Sequence, residues 1–331
     1  MYAITIDTGT TNTRVCAWRA GQVIADAFQP VGVRDTAITG SRQKLMQGVR
    51  QAILEARQSA NIAGQDDVVH IASGMITSNV GLYEVPHIAA PAGKKELAAG
   101  MVSTLIPEVT DQPIWFIPGV KTCAGPVTLE NCEAMDIIRG EEVEIVGVTT
   151  KLNIQEPAIL ILPGSHSKII SVDAENRITG CITTLAGELL DVITQKTILA
   201  NALQNSFAEK INPSVLLKGA QQAEKVGLGR TCFTVRILDL FTDMTLNDKA
   251  NFLLGAVLGS DLLAVKYSKA LAVDPGMPVI ISGKKVLREA LALLIKNDAY
   301  FQGTTTNFDD EGKSVAGFGA LTIAKERGIL K

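Results

Sequence analysis

The chain has no pair of cysteines at C-x-x-C spacing. Its five cysteines (Cys16, Cys123, Cys132, Cys181 and Cys232) are scattered along 331 residues. That removes a zinc site and a disulfide framework from consideration and points to a reducing cytoplasm. There is no block of Lys or Arg, and the formal net charge is −3, so the basic footprint of a nucleic-acid binder is missing. Apolar runs stay short of the ~18 residues a spanning helix requires, and the stretch from Phe252 to Gly259, FLLGAVLG, is soon ended by Asp261. Neither nucleic acid nor membrane is therefore expected as a partner. No basic and apolar leader precedes the first strand, so a soluble intracellular protein is expected. Two nucleotide-binding signatures are also absent. Asn307 stands where Gly312-Lys313-Ser314 would need its first glycine, and no G-x-G-x-x-G follows a strand.

What is present is a large apolar fraction, 47% of residues against 20% charged, which argues for a buried core and against disorder. The length suggests two domains of roughly 150 residues each. Residues 2–6 read as a strand, and Val15 to Trp18 and Val23 to Ala25 continue it as hairpins. Helical spacing of Leu45, Val49, Ala52, Ile53 and Ala56 predicts a helix over Ser41 to Gln58, with Ser41 as N-cap. Short strands follow at His70 to Ala72 and Trp115 to Ile117, a helix over Glu133 to Gly147, and a bare apolar strand at Ala158 to Leu162. Such a strand is buried on both faces. Strands alternating with helices indicate an α/β fold.

Two distant segments resemble each other. ITIDTGTTNTR opens the chain, and LPGSHSKIISVDAENRIT begins at Leu162. Gly9-Thr10-Thr11 aligns with Gly164-Ser165-His166, and Thr13-Arg14 with Ser167-Lys168 after a one-residue offset. In both, a buried strand enters a Gly and hydroxyl turn, a basic residue follows, and a strand leaves. The repeat predicts a duplicated α/β domain, 1–150 and 151–331, with one hairpin turn of each half facing a shared cleft. Chance similarity of two hairpins is the alternative.

Such turns suit phosphate. Glycine lets backbone N–H groups approach an oxyanion, and short hydroxyl side chains add donors without bulk. A carboxylate at the strand end, Asp7, suits Mg²⁺, which takes oxygen ligands and keeps its waters. A third corner, Ser282-Gly283-Lys284, carries a strand from Pro278 into a helix over Val286 to Ile295, and its glycine-floored slot beside a helix N-terminus suits a purine or its phosphates. The end of the His70 strand, Ser73-Gly74-Met75 with Ser78 and Asn79, lies where open α/β sheets bind ligands, at the carboxyl edge.

Two phosphate hairpins with such a corner resemble the actin, heat-shock-protein and sugar-kinase superfamily. Within it the chain is similar to the 2-dehydro-3-deoxygalactonokinases, on DTGTTNTRVCAW, ASGMITSNVGLYEVPHIAAPAG, DIIRGEEVEIVG, LPGSHSKIISVDAENRITGCITTLAGEL and FLLGAVLGSDL. The resemblance implies duplicated actin-like (ribonuclease H-like) ATPase domains, the first on the sugar-acid side and the second on the nucleotide side. It also implies phosphorylation of the terminal hydroxyl of a keto-deoxy sugar acid, with ATP and Mg²⁺ and with a homodimer left open. In related sugar kinases the base stands at a helix start some twenty residues before the second phosphate loop. Arg139-Gly140-Glu141-Glu142 occupies that place, which nominates Glu141 as general base, Asp136 as the alternative, and Glu142 as pointing away. The same GEEVE also suits a solvated acidic helix start favoured by the macrodipole. Arg14 and Lys168 suit phosphate neutralisation, or equally an exposed strand position. His166 suits a donor role, whereas His70 and His87 read as structural. Arg139 or Lys121 has the charge to meet the substrate carboxylate. Rival readings are an exopolyphosphatase-like hydrolase, which should carry a long basic channel, and a non-catalytic ATP-dependent regulatory module.

Overall fold

A computed structural model describes residues 1–123, 125–309 and 314–330; the Gly312-Lys313 of the failed P-loop lies outside them. Two sheets organise the chain. The first holds β1 (Tyr2–Thr8), β2 (Thr13–Arg19), β3 (Gln22–Gln29), β4 (Val68–Gly74), β6 (Val102–Thr104) and β7 (Ile114–Phe116), in the order β3-β2-β1-β4-β7-β6. A small sheet joins β5 (Ile88–Ala89), β8 (Val120–Lys121) and β9 (Ile137–Ile138). The second large sheet runs β12-β11-β10-β13-β14, from β10 (Ala158–Leu162), β11 (Ser167–Val172), β12 (Ile178–Thr184), β13 (Val279–Ser282) and β14 (Thr305–Phe308).

The two large sheets repeat one plan. β1 pairs antiparallel with β2 and parallel with β4, and β10 pairs antiparallel with β11 and parallel with β13. The outer strands follow suit: β2–β3 and β11–β12 are antiparallel, β4–β7 and β13–β14 parallel. The turns between β1 and β2 and between β10 and β11 are equally long, 9–12 and 163–166. Matching Thr13 to Ser167 sets Gly9 opposite Pro163, so pairing Gly9 with Gly164 keeps the one-residue offset, and the strand register shows the same step, Thr8 facing Thr13 but Leu162 facing Lys168.

Side-chain alternation explains the layering, because successive strand residues face opposite sides. In β10, Ile159 and Ile161 enter one core while Ala158, Leu160 and Leu162 enter another. In β1, Ile4 and Ile6 face a third core and Ala3 the shared one. Helices α1 (Val33–Thr39) and α2 (Gln43–Ser59) cover the outer face of the first sheet. Between the sheets lie α3 (Lys94–Gly100), α4 (Glu141–Leu152) and α11 (Val315–Glu326). The outer face of the second sheet carries α5 (Ala186–Lys196), α6 (Ala200–Leu203), α7 (Pro213–Val226), α8 (Leu228–Phe241), α9 (Leu246–Tyr267) and α10 (Lys285–Lys296). The 150/151 division falls inside α4, and α11 returns from the end of the chain to pack on α4 and β1.

Three expectations are corrected. The helix after Gly40 starts at Gln43, with Arg42 at its N-cap and no side-chain cap; Ser41 accepts the Gln43 N–H instead. The stretch 133–147 is not one helix. It is a 3₁₀ turn at Cys132–Ala134, then β9, then α4. Pairing of Val120 with Ile138 and of Thr122 N with Asp136 O draws the segment into the small sheet, and Gly140 breaks it at φ +117°. Finally, α9 is long and apolar enough by composition to cross a membrane. It is a central core helix, packed by α7, α8 and α10, with Asn251 and Asp261 also buried in it.

Candidate active site

The chain places its glycines where backbones must touch. A Cβ on Gly32, at the start of α1, would lie 2.5 Å from Gly9 O and Thr10 C, and the first N–H groups of α1 hold that turn: Val33 N to Gly9 O, 3.2 Å, and Arg34 N to Thr10 O, 2.9 Å. The second half repeats the device. A Cβ on Gly187 would lie 2.2 Å from Gly164 O, and Glu188 N donates to Ser165 O at 3.1 Å. Each turn is thus held from behind by a helix start, an echo that the sequence comparison of the hairpins alone did not reach.

A cavity of about 340 Å³ lies where both halves meet. Asp7, Gly9 and Thr10 line it from β1 and its turn, Gly74 and Met75 from the end of β4, Arg139 and Glu141 from the start of α4, and His166 and Lys168 from the second hairpin. Two glycines bring these elements together. Gly74 sits at φ +84°, where a Cβ would come within 3.0 Å of Asp7 Oδ1, and a Cβ on Gly140 would be 3.2 Å from Gly74 Cα. Desolvation pushes the Asp7 carboxyl up to about 6, eased by the Arg14 charge and reinforced by Glu141. Arg14 lies opposite Asp7 in the strand register, although it does not line the cavity. Glu141 Oε2 accepts the Arg139 N–H at 3.0 Å, and its Oε1 is 4.0 Å from Lys168 Nζ.

A second cavity, about 770 Å³, adjoins the other side of the second turn. Pro163, Gly164 and Ser165 share it with Lys284 and Lys285 at the start of α10, and Leu190, Phe207 and Leu253 give it an apolar wall. The sequence reading missed these wall residues, since α5 to α9 carry no polar motif and supply only core-like spacing. Gly283, at φ +140°, packs on Pro163.

Other candidates are differently employed. Asp136 does not line the cavity: its carboxylate accepts Thr183 N at 2.5 Å, Thr183 Oγ1 at 2.9 Å and Ile137 N at 2.6 Å. Arg139 donates to Thr77 O at 2.6 Å and Val85 O at 3.0 Å, and meets Thr77 Oγ1 and His87 Nδ1, so it staples the loop after β4. His166 Nε2 lies 2.9 Å from Glu188 Oε1. Ser282 Oγ donates to Glu144 Oε1 at 3.1 Å, joining β13 to α4. Ser73 and Ser78 are buried, Ser78 bonded to Met75 O, while Thr11 and Asn79 are exposed, Ser167 is buried and Lys121 is half-buried. Glu142 does not point away into solvent. It is fully buried, because α4 turns that side against the layer between the sheets. Buried His70, its ring nitrogens unpartnered among the described residues, is held neutral by desolvation, at about 4. Among the described residues no cluster of three or more His, Cys, Asp or Glu side chains could hold a metal ion.

The repeated strand plan, with a turn from each half at one cleft, defines the actin-like (ribonuclease H-like) ATPase and sugar-kinase fold. The chain belongs to the 2-keto-3-deoxy-galactonokinase family, whose model matches residues 7–317. A Rhizobium meliloti (strain 1021) protein named "Probable 2-dehydro-3-deoxygalactonokinase DgoK1" is 29% identical over 205 residues, 61% of this chain and 59% of its own length, so the match spans less than two thirds of that relative. The Escherichia coli (strain K12) 2-dehydro-3-deoxygalactonokinase is 22% identical over 265 residues, 80% of each chain. The fold is shared with a Sinorhizobium meliloti crystal structure assigned as a 2-dehydro-3-deoxygalactonokinase, at TM-score 0.75, 23% identity and 99% coverage of both chains.

Proposed function

We propose that this chain is an ATP-dependent kinase of the cytoplasm that phosphorylates the terminal C6 hydroxyl of 2-dehydro-3-deoxy-galactonate, serving galactonate breakdown. The observation that carries this reading is the smaller cavity, where a strand-end carboxylate, a glycine and hydroxyl turn, a helix-start carboxylate and a lysine of the other half converge. Family membership supplies the substrate class. Five free cysteines agree with a reducing compartment.

The larger cavity suits the nucleoside, with its apolar wall for a base and Gly164, Ser165 and Lys284 at its polar end. The second turn separates the two cavities, so phosphates laid over it would point toward Gly9 and Thr10. Asp7 fits Mg²⁺: burial raises its carboxyl to about 6 despite the Arg14 charge, and a cation at that carboxylate would offset the cost. Mg²⁺, when bound, neutralises the phosphate oxygens that carry charge during transfer. The protein's own tasks are then few. Glu141 accepts the proton of the sugar hydroxyl, and Lys168 supplies positive charge beside it. Gly74 and Met75 at the end of β4 floor the sugar side, and the staple at Arg139 fixes that floor.

ADP release by the purified chain, with ATP, Mg²⁺ and a panel of 2-keto-3-deoxy sugar acids, tests the reading. The galactonate-derived acid should give the highest kcat/KM; no ADP release with any acid would overturn it.

A further inference from the structure

We propose that Asp136 and Thr183 are positioning residues that fix the Lys168 ammonium beside Glu141; this rests on the kinase reading above. Lys168 Nζ donates to Thr183 Oγ1 at 2.9 Å. The same hydroxyl hydrogen-bonds Asp136 Oδ1 at 2.9 Å. A hydroxyl has one hydrogen to give. The ammonium can only donate and the carboxylate accepts, so Thr183 accepts from Lys168 and gives its hydrogen to Asp136. The order of the chain is thereby fixed: ammonium, hydroxyl, carboxylate. Asp136 Oδ2 also takes the Thr183 backbone N–H at 2.5 Å, which locks the carboxylate against β12. The free end of the chain is Nζ itself, 3.4 Å from Ile137 O and 4.0 Å from Glu141 Oε1.

The topology gives this network its purpose. Lys168 and Thr183 face each other on β11 and β12 of the second sheet, whereas Asp136 immediately precedes β9 and Glu141 opens α4. Two bonds of Glu133, to Ser268 Oγ at 2.6 Å and Lys269 N at 3.1 Å, tie the same segment to the second half. The strip carrying the base is therefore registered on the nucleotide half by carboxylates that themselves stay out of the cavity. An unheld lysine would sample many rotamers; the hydroxyl between Asp136 and Nζ selects one. This assigns Asp136 a role other than base, and Thr183 a role that no motif announced.

Thr183→Val keeps shape and strand preference but removes the hydroxyl; Thr183→Ser restores it. With ATP and the preferred sugar acid, Thr183→Val should lower kcat about tenfold, the size of one charge-assisted hydrogen bond. KM for ATP should hold, and Thr183→Ser should recover to within about twofold. Because Thr183 acts through Lys168, adding Thr183→Val to Lys168→Met should cost nothing further. Asp136→Asn, which cannot satisfy both Thr183 groups as acceptors, should move kcat in the same direction and repeats the test in a second variant. Independently of turnover, acetic anhydride labelling read by mass spectrometry should modify Lys168 several-fold faster in Thr183→Val than in the parent or in Thr183→Ser. Equal losses in both backgrounds, or unchanged labelling, would overturn the proposal. A parent chain that consumes no ATP with any sugar acid would instead remove the kinase reading and, with it, the catalytic purpose assigned to Lys168.

Discussion

Glu142 Oε2 accepts the Gly140 N–H at 2.7 Å from a position with no solvent exposure. Its other oxygen has no hydrogen-bond partner among the described residues. Burial, then the neighbouring charge of Glu141, push the carboxyl from 4.5 to about 8. The folded protein therefore holds a proton that the unfolded chain releases once pH exceeds ~4.5, and stability falls as pH rises from there to about 8. Glu142→Gln keeps an acceptor for Gly140 and removes the titration. Scanning calorimetry should give the variant the higher Tm at pH 8, with the gap closing toward pH 4.5. A gap independent of pH would show that Glu142 carries no burial penalty.

Asp7→Asn should separate function from stability. The carboxyl is held up at about 6 mainly by desolvation, so the carboxylate present at neutral pH carries a burial cost that the unfolded chain lacks, and an amide of the same shape relieves it. Mg²⁺-dependent turnover should fall severely while Tm stays level or rises. Parent-level turnover in Asp7→Asn would contradict the phosphate role of the opening turn.

The sequence made some of this legible and concealed the rest for identifiable reasons. The ITIDTGTTNTR and LPGSHSK hairpins were readable because a strand, a Gly and hydroxyl turn and a returning strand recur in the same order, and the bare apolar strand Ala158–Leu162 because burial on two faces leaves no alternation to hide. The start of α4 was misplaced because acidic residues at Glu133, Asp136, Glu141 and Glu142 look alike in a string. Only pairing with β8 and the left-handed Gly140 decide which begin the helix. The role of Thr183 was invisible, since its partners lie 15 and 47 residues away. The Gly32 and Gly187 contacts behind the two turns involve backbone packing, to which side-chain patterns are blind.

Gly74→Ala tests that packing. At φ +84° a Cβ is strained in any case, and here it would meet Thr8 O at 2.7 Å and Asp7 Oδ1 at 3.0 Å. The backbone cost alone is about 1–2 kcal/mol. Denaturant titration should show a loss above that figure, and turnover should drop further because Asp7 is displaced. Gly64→Ala, whose Cβ would meet nothing within 4 Å, is the control and should stay within about 0.5 kcal/mol. Equal behaviour of the two variants would contradict close packing at the cleft floor.

The base is the most exacting assignment, because four carboxylates lie in the nine-residue stretch 136–144. Asp136 is spent on Thr183 and Ile137, Glu142 is buried behind the helix start, and Glu144 is bonded to Ser282. Glu141 lines the cavity with a side chain that keeps 26% of its exposure, and lies 4.0 Å from Lys168 Nζ. Glu141→Gln keeps shape and removes the proton acceptor. Base catalysis contributes about 10²–10⁴-fold, so kcat should fall by that order, roughly 3–5 kcal/mol of barrier. ATP affinity, measured by calorimetric titration, should change little, because Glu141 is absent from the larger cavity. Glu142→Gln should cost far less turnover, now because its carboxyl is buried and already protonated near neutral pH rather than solvated. A collapse of kcat in Glu142→Gln with Glu141→Gln intact would move the base one residue along α4 while leaving the kinase assignment standing.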